Sequence, residues 1–356
     1  MSEKELSKNE QLVLYGLVKN PLLNDRELAE KLKLNISTLT AIKNRLKKRQ
    51  YFFTVRIPML QNIGCELIAV NIFKLNLTMT QESYTKMEKE FVKKFPEAIF
   101  MLYESDFMLV VSIAQNFTEL RKVIDEIKSI LSKYEVIDES GSKTLFFPFQ
   151  TTRILNLFDY GPLLQRSFGI KDDKKKDQKI LKTFNEPKKL SRIEKIVLYG
   201  LVKYPDLPDK KIAEYTSVTR QVVARLRKEF ENEELIKTLR IPNLKKLGFS
   251  ILSFAFANIN VKTSMDVRKK YMKLLQHDIP TIFWASGNVE SFIISVMKDF
   301  DDYKDLYVKG FGHLQKSNMF IEMPEPKSVS INYLKYVKYH DYAPLVKKVF
   351  DITEID

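Results

Sequence analysis

Two stretches of the sequence combine small polar side chains with cations at the spacing of one helix face. The opposite face of each stretch is apolar at i, i+3 and i+7, with Leu39, Ile42 and Leu46 in the first. Hydroxyl and amide groups hydrogen-bond to base edges and cations neutralise phosphate, so the pattern predicts helices that enter DNA major grooves. A basic helix face that meets only solvent remains the alternative. The predicted contact residues are Ser37, Thr38, Thr40, Ala41, Lys43, Asn44, Arg45 and Lys48 in the first stretch and Arg220, Gln221, Ala224, Arg225, Arg227 and Lys228 in the second.

One arginine follows each of these helices in a run of high strand propensity. Arg56 lies in residues 51–57 and Arg240 in residues 235–241, and a proline comes directly after each run. We expect each run to form the wing of a winged helix. Contact with DNA phosphate and a structural ion pair are both open for the two arginines.

Residues suited to catalysis or metal binding show no comparable pattern. The three histidines, His277, His313 and His340, lack metal-ligand spacing to one another and to Cys65. No glycine-rich nucleotide loop occurs, and acidic pairs such as that at 301–302 fall on predicted helix surfaces. We therefore expect no metal, no cofactor and no enzymatic activity.

The charge balance favours a polyanionic partner. The 356 residues include 59 Lys and Arg against 45 Asp and Glu, which gives a net charge of +14. No apolar run approaches the roughly 20 residues that span a bilayer, and the first residues lack the apolar stretch of a signal peptide. One cysteine excludes an intrachain disulfide framework. We expect a cytoplasmic protein that has no membrane partner.

An internal duplication organises the chain. Residues 6–21 recur at 190–205, an offset of 184, and the register continues without a gap through both predicted wings. Farther on, residues 159–163 recur at 341–345 with an offset of 182, as a tail that is either an interface or a packing segment. The charged residues 171–179 between the copies predict a solvated linker.

The start of each copy predicts three helices. Ser7 and Glu10 have the S-x-x-E spacing of a capping box, and the second copy repeats it at 191 and 194. A proline at 21 and at 205 ends the first helix. The predicted caps are Asp25 and Asp209 for the second helix and Asn35 and Thr219 for the third.

The rest of each copy alternates strands and helices in the order βαββαβ. This is the order of a ferredoxin-like sandwich, whose sheet leaves one face open to another sheet. The expected elements are residues 67–75, 83–95, 98–103, 107–114, 117–134 and 142–149 in the first copy, and 251–261, 265–276, 281–285, 292–297, 303–315 and 319–323 in the second.

A winged helix, a strand through Arg-x-Pro-x-x-x-x-x-Gly and a βαββαβ domain together resemble the Lrp/AsnC (leucine-responsive/asparagine-regulator) family of bacterial and archaeal transcription regulators. The order of elements carries the resemblance over nearly all of each copy. It implies an α+β fold of two tandem winged helix-turn-helix and ferredoxin-like units, transcription regulation, and pairing of the ferredoxin-like domains either within the chain or, as a dimer, between two chains.

The same resemblance implies a candidate effector turn. Some family members bind an amino acid near a Gly-x-x-Asp turn between the second and third strands. The first copy has Tyr-Glu-Ser-Asp at 103–106 and keeps only Asp106, and the second has Gly-Asn-Val-Glu at 287–290 and keeps Gly287 with Glu290. Whether a small-molecule effector exists stays open.

The expected domains are a winged helix at 1–63, a ferredoxin-like domain at 64–169, a charged linker at 170–189, a second winged helix at 190–247 and a second ferredoxin-like domain with its tail at 248–356. We expect this chain to regulate transcription by binding an asymmetric or pseudo-palindromic site in double-stranded DNA. The alternatives are an enzyme similar to siroheme decarboxylases, which join the same two kinds of domain, and a protein-interaction scaffold. The first copy contains no histidine, which speaks against tetrapyrrole chemistry.

Overall fold

The computed structural model describes residues 5–78, 80–171, 186–315, 318–324 and 326–353. Most of the predicted charged linker, residues 172–185, lies outside this part of the chain. The predicted α+β class is confirmed, with helices and sheets in both copies. No helix among the described residues is long and apolar enough to cross a bilayer.

Three helices open each copy, as expected. They are α1 (Lys8–Lys19), α2 (Asp25–Leu32) and α3 (Ile36–Lys48) in the first copy. Both predicted capping boxes are present, because the Ser7 and Ser191 hydroxyls accept a backbone N–H three residues on and the glutamate there accepts the serine N–H. The second copy has α7 (Arg192–Lys203), α8 (Asp209–Thr216) and α9 (Arg220–Asn232).

Two of the four other predicted caps are wrong, and a third, Asn35, precedes its helix as predicted but lacks the side-chain bond. The cap of α2 is Asn24, whose side chain accepts from two backbone N–H groups, and the residue before α8 is Pro208. Asp25 and Asp209 stand at the first helical position instead, where their carboxylates bind cations of the third helix. Asn35 makes no side-chain capping bond, whereas Thr219 accepts from the N–H of Val222 as predicted.

The sheet of the first copy follows the predicted order closely. Its elements are β2 (Leu67–Leu75), α4 (Gln81–Lys94), β3 (Ala98–Glu104), β4 (Phe107–Ala114), α5 (Phe117–Lys133) and β5 (Ile137–Pro148). β2 pairs antiparallel with both β4 and β5. Large apolar side chains from the sheet and both helices, such as Phe73, Phe91 and Ile127, form the buried core beneath it.

The sheet of the second copy is similar but ends differently. Its elements are β8 (Ile251–Asn258), α10 (Met265–Asp278), β9 (Thr281–Ser286), β10 (Glu290–Met297), α11 (Phe300–Gln315) and β11 (Lys327–Ser330). The last strand was expected at 319–323, where only an isolated bridge joins Phe320 to Ile259. The ladder to β8 is made instead by β11, a four-residue strand too short and polar to stand out in the sequence.

A fifth strand in each sheet comes from the tail of the other copy. β6 (Arg153–Leu157) of the first copy pairs antiparallel with β9, and β12 (Lys335–Lys338) of the second pairs antiparallel with β3. A short helix follows each strand, α6 (Gly161–Phe168) and α12 (Ala343–Val349). The two strands are therefore exchanged between the copies, whereas α6 and α12, which begin within the repeated residues, contact α1 and α7 of their own copies.

The predicted wing strands pair with each other. They are β1 (Phe52–Pro58) and β7 (Ile236–Pro242), which form a two-stranded sheet. Hydrogen bonds from the N–H of Met59 to the Leu235 carbonyl and from the N–H of Asn243 to the Tyr51 carbonyl extend the pairing. Short 3-10 helices, Leu60–Ile63 and Lys245–Leu247, follow the strands.

Because of these exchanges, each compact unit contains parts of both copies. Unit 1 comprises Met1–Thr54, Thr152–Lys182 and Thr238–Asn332, and so combines the first winged helix with the second ferredoxin-like sheet. Unit 2 comprises Val55–Thr151, Thr183–Lys237 and Tyr333–Asp356, and combines the second winged helix with the first sheet. The sequence domains proposed above are thus not the compact units.

Candidate nucleic-acid interface

Helix α3 buries one face in unit 1 and exposes the other. Leu39, Ile42 and Leu46 are buried, as their spacing predicted. Of the predicted contact residues on the other face, Ser37, Ala41, Asn44, Arg45 and Lys48 are exposed, while Thr38, Thr40 and Lys43 are half-buried. Packing of the apolar face therefore leaves polar groups from the first turn to the last open to a ligand.

Lys43 is held by the second helix. Its Nζ lies 2.6 Å from Asp25 Oδ1, and the Thr40 hydroxyl donates to Asp25 Oδ2 at 3.1 Å. Burial alone would raise the pKa of Asp25, but the hydrogen bond and charge of Lys43 outweigh it and leave that pKa below its usual value. Asp25 is thus ionised at neutral pH and fixes α2 against α3.

Arg45 is bound to the capping box of α1. Its Nε donates to Glu10 Oε1 at 2.9 Å, while Glu10 Oε2 accepts the N–H of Ser7. Burial of Glu10 opposes ionisation, but its bonds from Ser7 and from Arg45 keep its pKa below the usual value. The Arg45 side chain nevertheless stays 52% exposed, so part of its guanidinium can meet a further anion.

Helix α9 likewise buries its apolar face, within unit 2, and exposes the opposite face. Val223, Leu226 and Phe230 are buried. Arg227 binds Asp209 through two nitrogens, at 2.9 and 3.0 Å, and this hydrogen bonding raises the pKa of Arg227. The remaining predicted contacts divide into the exposed Arg220, Gln221, Arg225 and Lys228 and the half-buried Ala224.

Both wing arginines bond to a helix of the other copy, and Arg56 is buried there whereas Arg240 is half-buried. Arg56 is only 8% exposed, and its Nη1 donates to the carbonyl of Leu201 in α7 at 3.2 Å. Arg240 makes the matching bond to the carbonyl of Leu17 in α1, also at 3.2 Å. Burial lowers the pKa of Arg56. A phosphate cannot reach a guanidinium in this position, so the predicted phosphate contact of Arg56 is replaced by a structural bond between the copies.

Each candidate effector turn connects two paired antiparallel strands, β3 and β4 in the first copy and β9 and β10 in the second. The Asp106 carbonyl accepts the N–H of Leu75 at 2.7 Å, and the Gly287 N–H donates to the Glu290 carbonyl at 2.8 Å. Beside the first turn lies a cleft of unit 2 lined mainly by Tyr84, Tyr103, Tyr333 and Lys335. Tyr103, Glu104 and Ser105 of the motif line this cleft, whereas Asp106, the residue kept from the family pattern, does not.

Sequence reasoning missed the acidic partners of α3 and α9. The signal was present, because Asp25 and Asp209 occupy one position of the repeat and Lys43 and Arg227 occupy another. Such a pair kept in both copies indicates an ion pair between the second and third helices. It is this pair that orients the exposed face.

These features define a class of protein: tandem winged helices and ferredoxin-like sheets whose tails are exchanged. No family profile matches the sequence, and no curated protein sequence is detectably similar. The siroheme decarboxylase NirDL matches 98% of this chain with 100% of its own, at 10% identity and a TM-score of 0.52. Its complex with an iron-uroporphyrin III analogue matches equally. At this identity the likeness establishes a shared fold.

An AsnC family transcriptional regulator from Agrobacterium tumefaciens matches 40% of this chain with 89% of its own, at 15% identity and a TM-score of 0.32. The tandem winged-helix and ferredoxin-like fold expected from the Lrp/AsnC resemblance is confirmed by the structure and by the full-length match. That match also corrects one expectation. The chain was predicted to be no enzyme, yet the solved protein that shares its whole architecture is an enzyme.

Proposed function

We propose that this chain binds double-stranded DNA through α3 and α9. The observation that carries the proposal is the α3 surface, which presents Ser37, Ala41 and Asn44 beside cations and has no acidic residue in the helix. The polar groups of Ser37 and Asn44 suit base edges, the methyl group of Ala41 suits a thymine methyl, and cations suit the flanking phosphates. Regulation of transcription would follow from sequence-selective binding, as the Lrp/AsnC resemblance implies.

The ion pairs to Asp25 and Glu10 support this function. They hold α3 against α1 and α2, so the reading face is oriented before DNA arrives and less conformational entropy is lost on binding. Because these salt bridges are partly exposed, phosphate can compete for Arg45 without disrupting the core. Binding driven by such contacts weakens steeply with salt.

The test is a fluorescence-anisotropy titration of the full chain with random duplex DNA, followed by selection of a preferred site. The variant Lys48→Glu/Arg220→Glu changes one exposed cation on each reading helix and should weaken binding at least about tenfold, since a charge-assisted phosphate bond contributes about 1.5–3 kcal/mol. Lys89→Glu/Lys122→Glu makes the same charge change on exposed positions of α4 and α5 and is the matched control. Equal losses in both variants, or no binding by the unmodified chain, would refute the proposal.

A second candidate function is enzymatic, of the siroheme decarboxylase kind. It is favoured by the full-length match to NirDL, including the complex with an iron-uroporphyrin III analogue. A tetrapyrrole with many carboxylates requires several cations. Within unit 1, however, one cleft sets Arg166 and Lys298 against four aspartates, and the tyrosine-lined cleft of unit 2 pairs Lys335 with Glu104. Neither cleft has the excess of positive charge that such a substrate needs.

This candidate has its own experiment. Purified protein is titrated with siroheme under reducing conditions, and binding is followed by the shift of the tetrapyrrole absorbance band. A saturable shift together with release of CO2 would establish the decarboxylase function. An unshifted spectrum with no CO2 would exclude it and would leave DNA binding unaffected.

A further inference from the structure

We infer that the two reading helices divide the work, with α3 supplying most of the affinity for the DNA backbone and α9 mainly discriminating bases. This inference rests on the proposed DNA binding. Its basis is a comparison of equivalent positions, 36–50 and 220–234. The first set contains five basic and no acidic residues, whereas the second contains four basic and four acidic residues.

The difference arises at the end of each helix. Arg45, Lys47 and Arg49 of the first copy correspond to Glu229, Glu231 and Glu233 of the second. The last turn of α3 is therefore basic, and that of α9 has no basic residue. Opposite charges attract and like charges repel. A phosphate that approaches the end of α3 is therefore attracted, while one that approaches the end of α9 is repelled.

The glutamates also neutralise cations within α9. Glu229 binds Arg225 Nη1 through both carboxylate oxygens, at 2.7 and 2.9 Å, and Glu231 lies 3.6 Å from Arg227. Arg225 remains 60% exposed, but its charge is already compensated one helical turn away. Phosphate binding there would have to displace Glu229.

The acidic partners in the second helices do not account for the contrast. Asp25 and Asp209 are equivalent and each binds one cation of its reading helix. Glu10 likewise has an equivalent, Glu194. These groups lower the charge of both winged helices alike, so the inequality comes from the reading helices themselves.

The first turn of α9 is suited to base contact. Arg220 is exposed at the first helical position, where the helix dipole disfavours a cation and where major-groove readers contact bases. A guanidinium there matches the O6 and N7 acceptors of guanine. The equivalent Ile36 of α3 is 51% exposed and suits a thymine methyl group. The two half-sites should differ at this base, with guanine under α9.

The experiment uses full-length variants that remove the same charge from each reading helix. Lys47→Ala/Lys48→Ala should weaken binding to random duplex at least about tenfold and reduce the slope of log K against log salt by about 2, because each lost phosphate contact removes about 0.9. Arg225→Ala/Lys228→Ala should weaken it less than about threefold and leave the slope nearly unchanged, because these cations contribute little backbone binding. Circular dichroism confirms that both variants are folded.

Site selection completes the test. Arg220→Ala should lose the guanine preference of one half-site while its salt slope stays that of the unmodified chain. Equal losses of affinity and slope in the two double variants, or a larger loss in the α9 variant, overturn the division of work while leaving DNA binding established. If the unmodified chain binds no duplex DNA at all, both the proposed function and this inference fail.

Discussion

Replacing His340 by phenylalanine should remove part of the protein's sensitivity to acid. His340 lies in the exchanged tail of the second copy, buried beside the rings of Phe100 and Tyr339. Burial lowers its pKa to about 3. The equivalent residue of the first copy, at the offset of 182, is Phe158, which packs against Phe283 and shares the same positive φ. Phenylalanine is therefore compatible with this backbone conformation.

The magnitude follows from proton linkage. An unfolded histidine titrates near pH 6.5, whereas the folded chain holds His340 neutral down to about pH 3. As pH falls below 6.5, the unfolded state binds a proton at this histidine and the folded state does not. The free energy of unfolding therefore decreases by about 1.4 kcal/mol per pH unit. At pH 5 the loss is about 2 kcal/mol, and above pH 7 it vanishes.

The assay is urea unfolding at pH 7 and pH 5, followed by far-ultraviolet circular dichroism. The fall in unfolding free energy between the two pH values should be about 2 kcal/mol smaller in His340→Phe than in the unmodified chain. Two neighbouring groups also titrate abnormally, since burial raises the pKa of Asp341 and lowers that of Lys338, but both are present in each protein and cancel in the difference. An identical fall in the two proteins would refute the argument.

Three further predictions concern stability and reactivity. Gly200→Ala should lower the unfolding free energy by about 1–3 kcal/mol, because the new Cβ would lie 2.6 Å from the stiff side chain of Thr216. Gly16→Ala meets only the methyl groups of Leu32 and Leu28, at 2.7 to 3.2 Å, which can shift, and the helix propensity of alanine offsets these contacts, so its unfolding free energy in urea should stay within about 1 kcal/mol of the original. Ser191→Ala should cost about 1 kcal/mol in the same measurement by removing a capping box, whereas Ser191→Thr should not. Burial raises the pKa of Cys65 to about 12, so its thiol should react with a disulfide reagent at pH 8 about a thousandfold more slowly in the folded chain than in urea.

The helices and central strands could be predicted because their signals are local. Apolar spacing and the serine-glutamate boxes fixed α1 and α7, and strong alternation or apolar runs fixed β2 and β4 to the residue. Element boundaries were least accurate where no cap or proline stands. β5, for example, begins at Ile137 rather than at 142.

The exchanged tails could not be predicted, because what makes them strands lies elsewhere in the chain. β6 and β12 are five and four residues long, and each becomes a strand only by pairing with a sheet of the other copy. The sequence showed that 159–163 and 341–345 repeat, which favoured a packing segment over an interface.

The residue types of the candidate site could be predicted from the sequence, but the ion pairs that partly neutralise its cations could not. Exposure of Ser37, Asn44 and Lys48 follows from helix periodicity. The partners of Lys43 and Arg45 do not, because Asp25 and Glu10 are on other helices and meet them only after packing. Likewise, the strand propensity around Arg56 was correct, but burial against α7 is a tertiary effect.

The duplication itself gives a physical reason why the exposed faces of α3 and α9 can differ. In a symmetric homodimer every substitution appears twice, so a residue that improves one half-site changes the other equally. In this chain, residues 45 and 229 are equivalent yet opposite in charge, while Arg56 and Arg240 make matching bonds to the first helix of the other copy. The contacts that join the copies are thus held to a common geometry, and the exposed faces are not. If the chain binds DNA as proposed, an asymmetric site is the expected consequence, because the exposed faces of α3 and α9 differ.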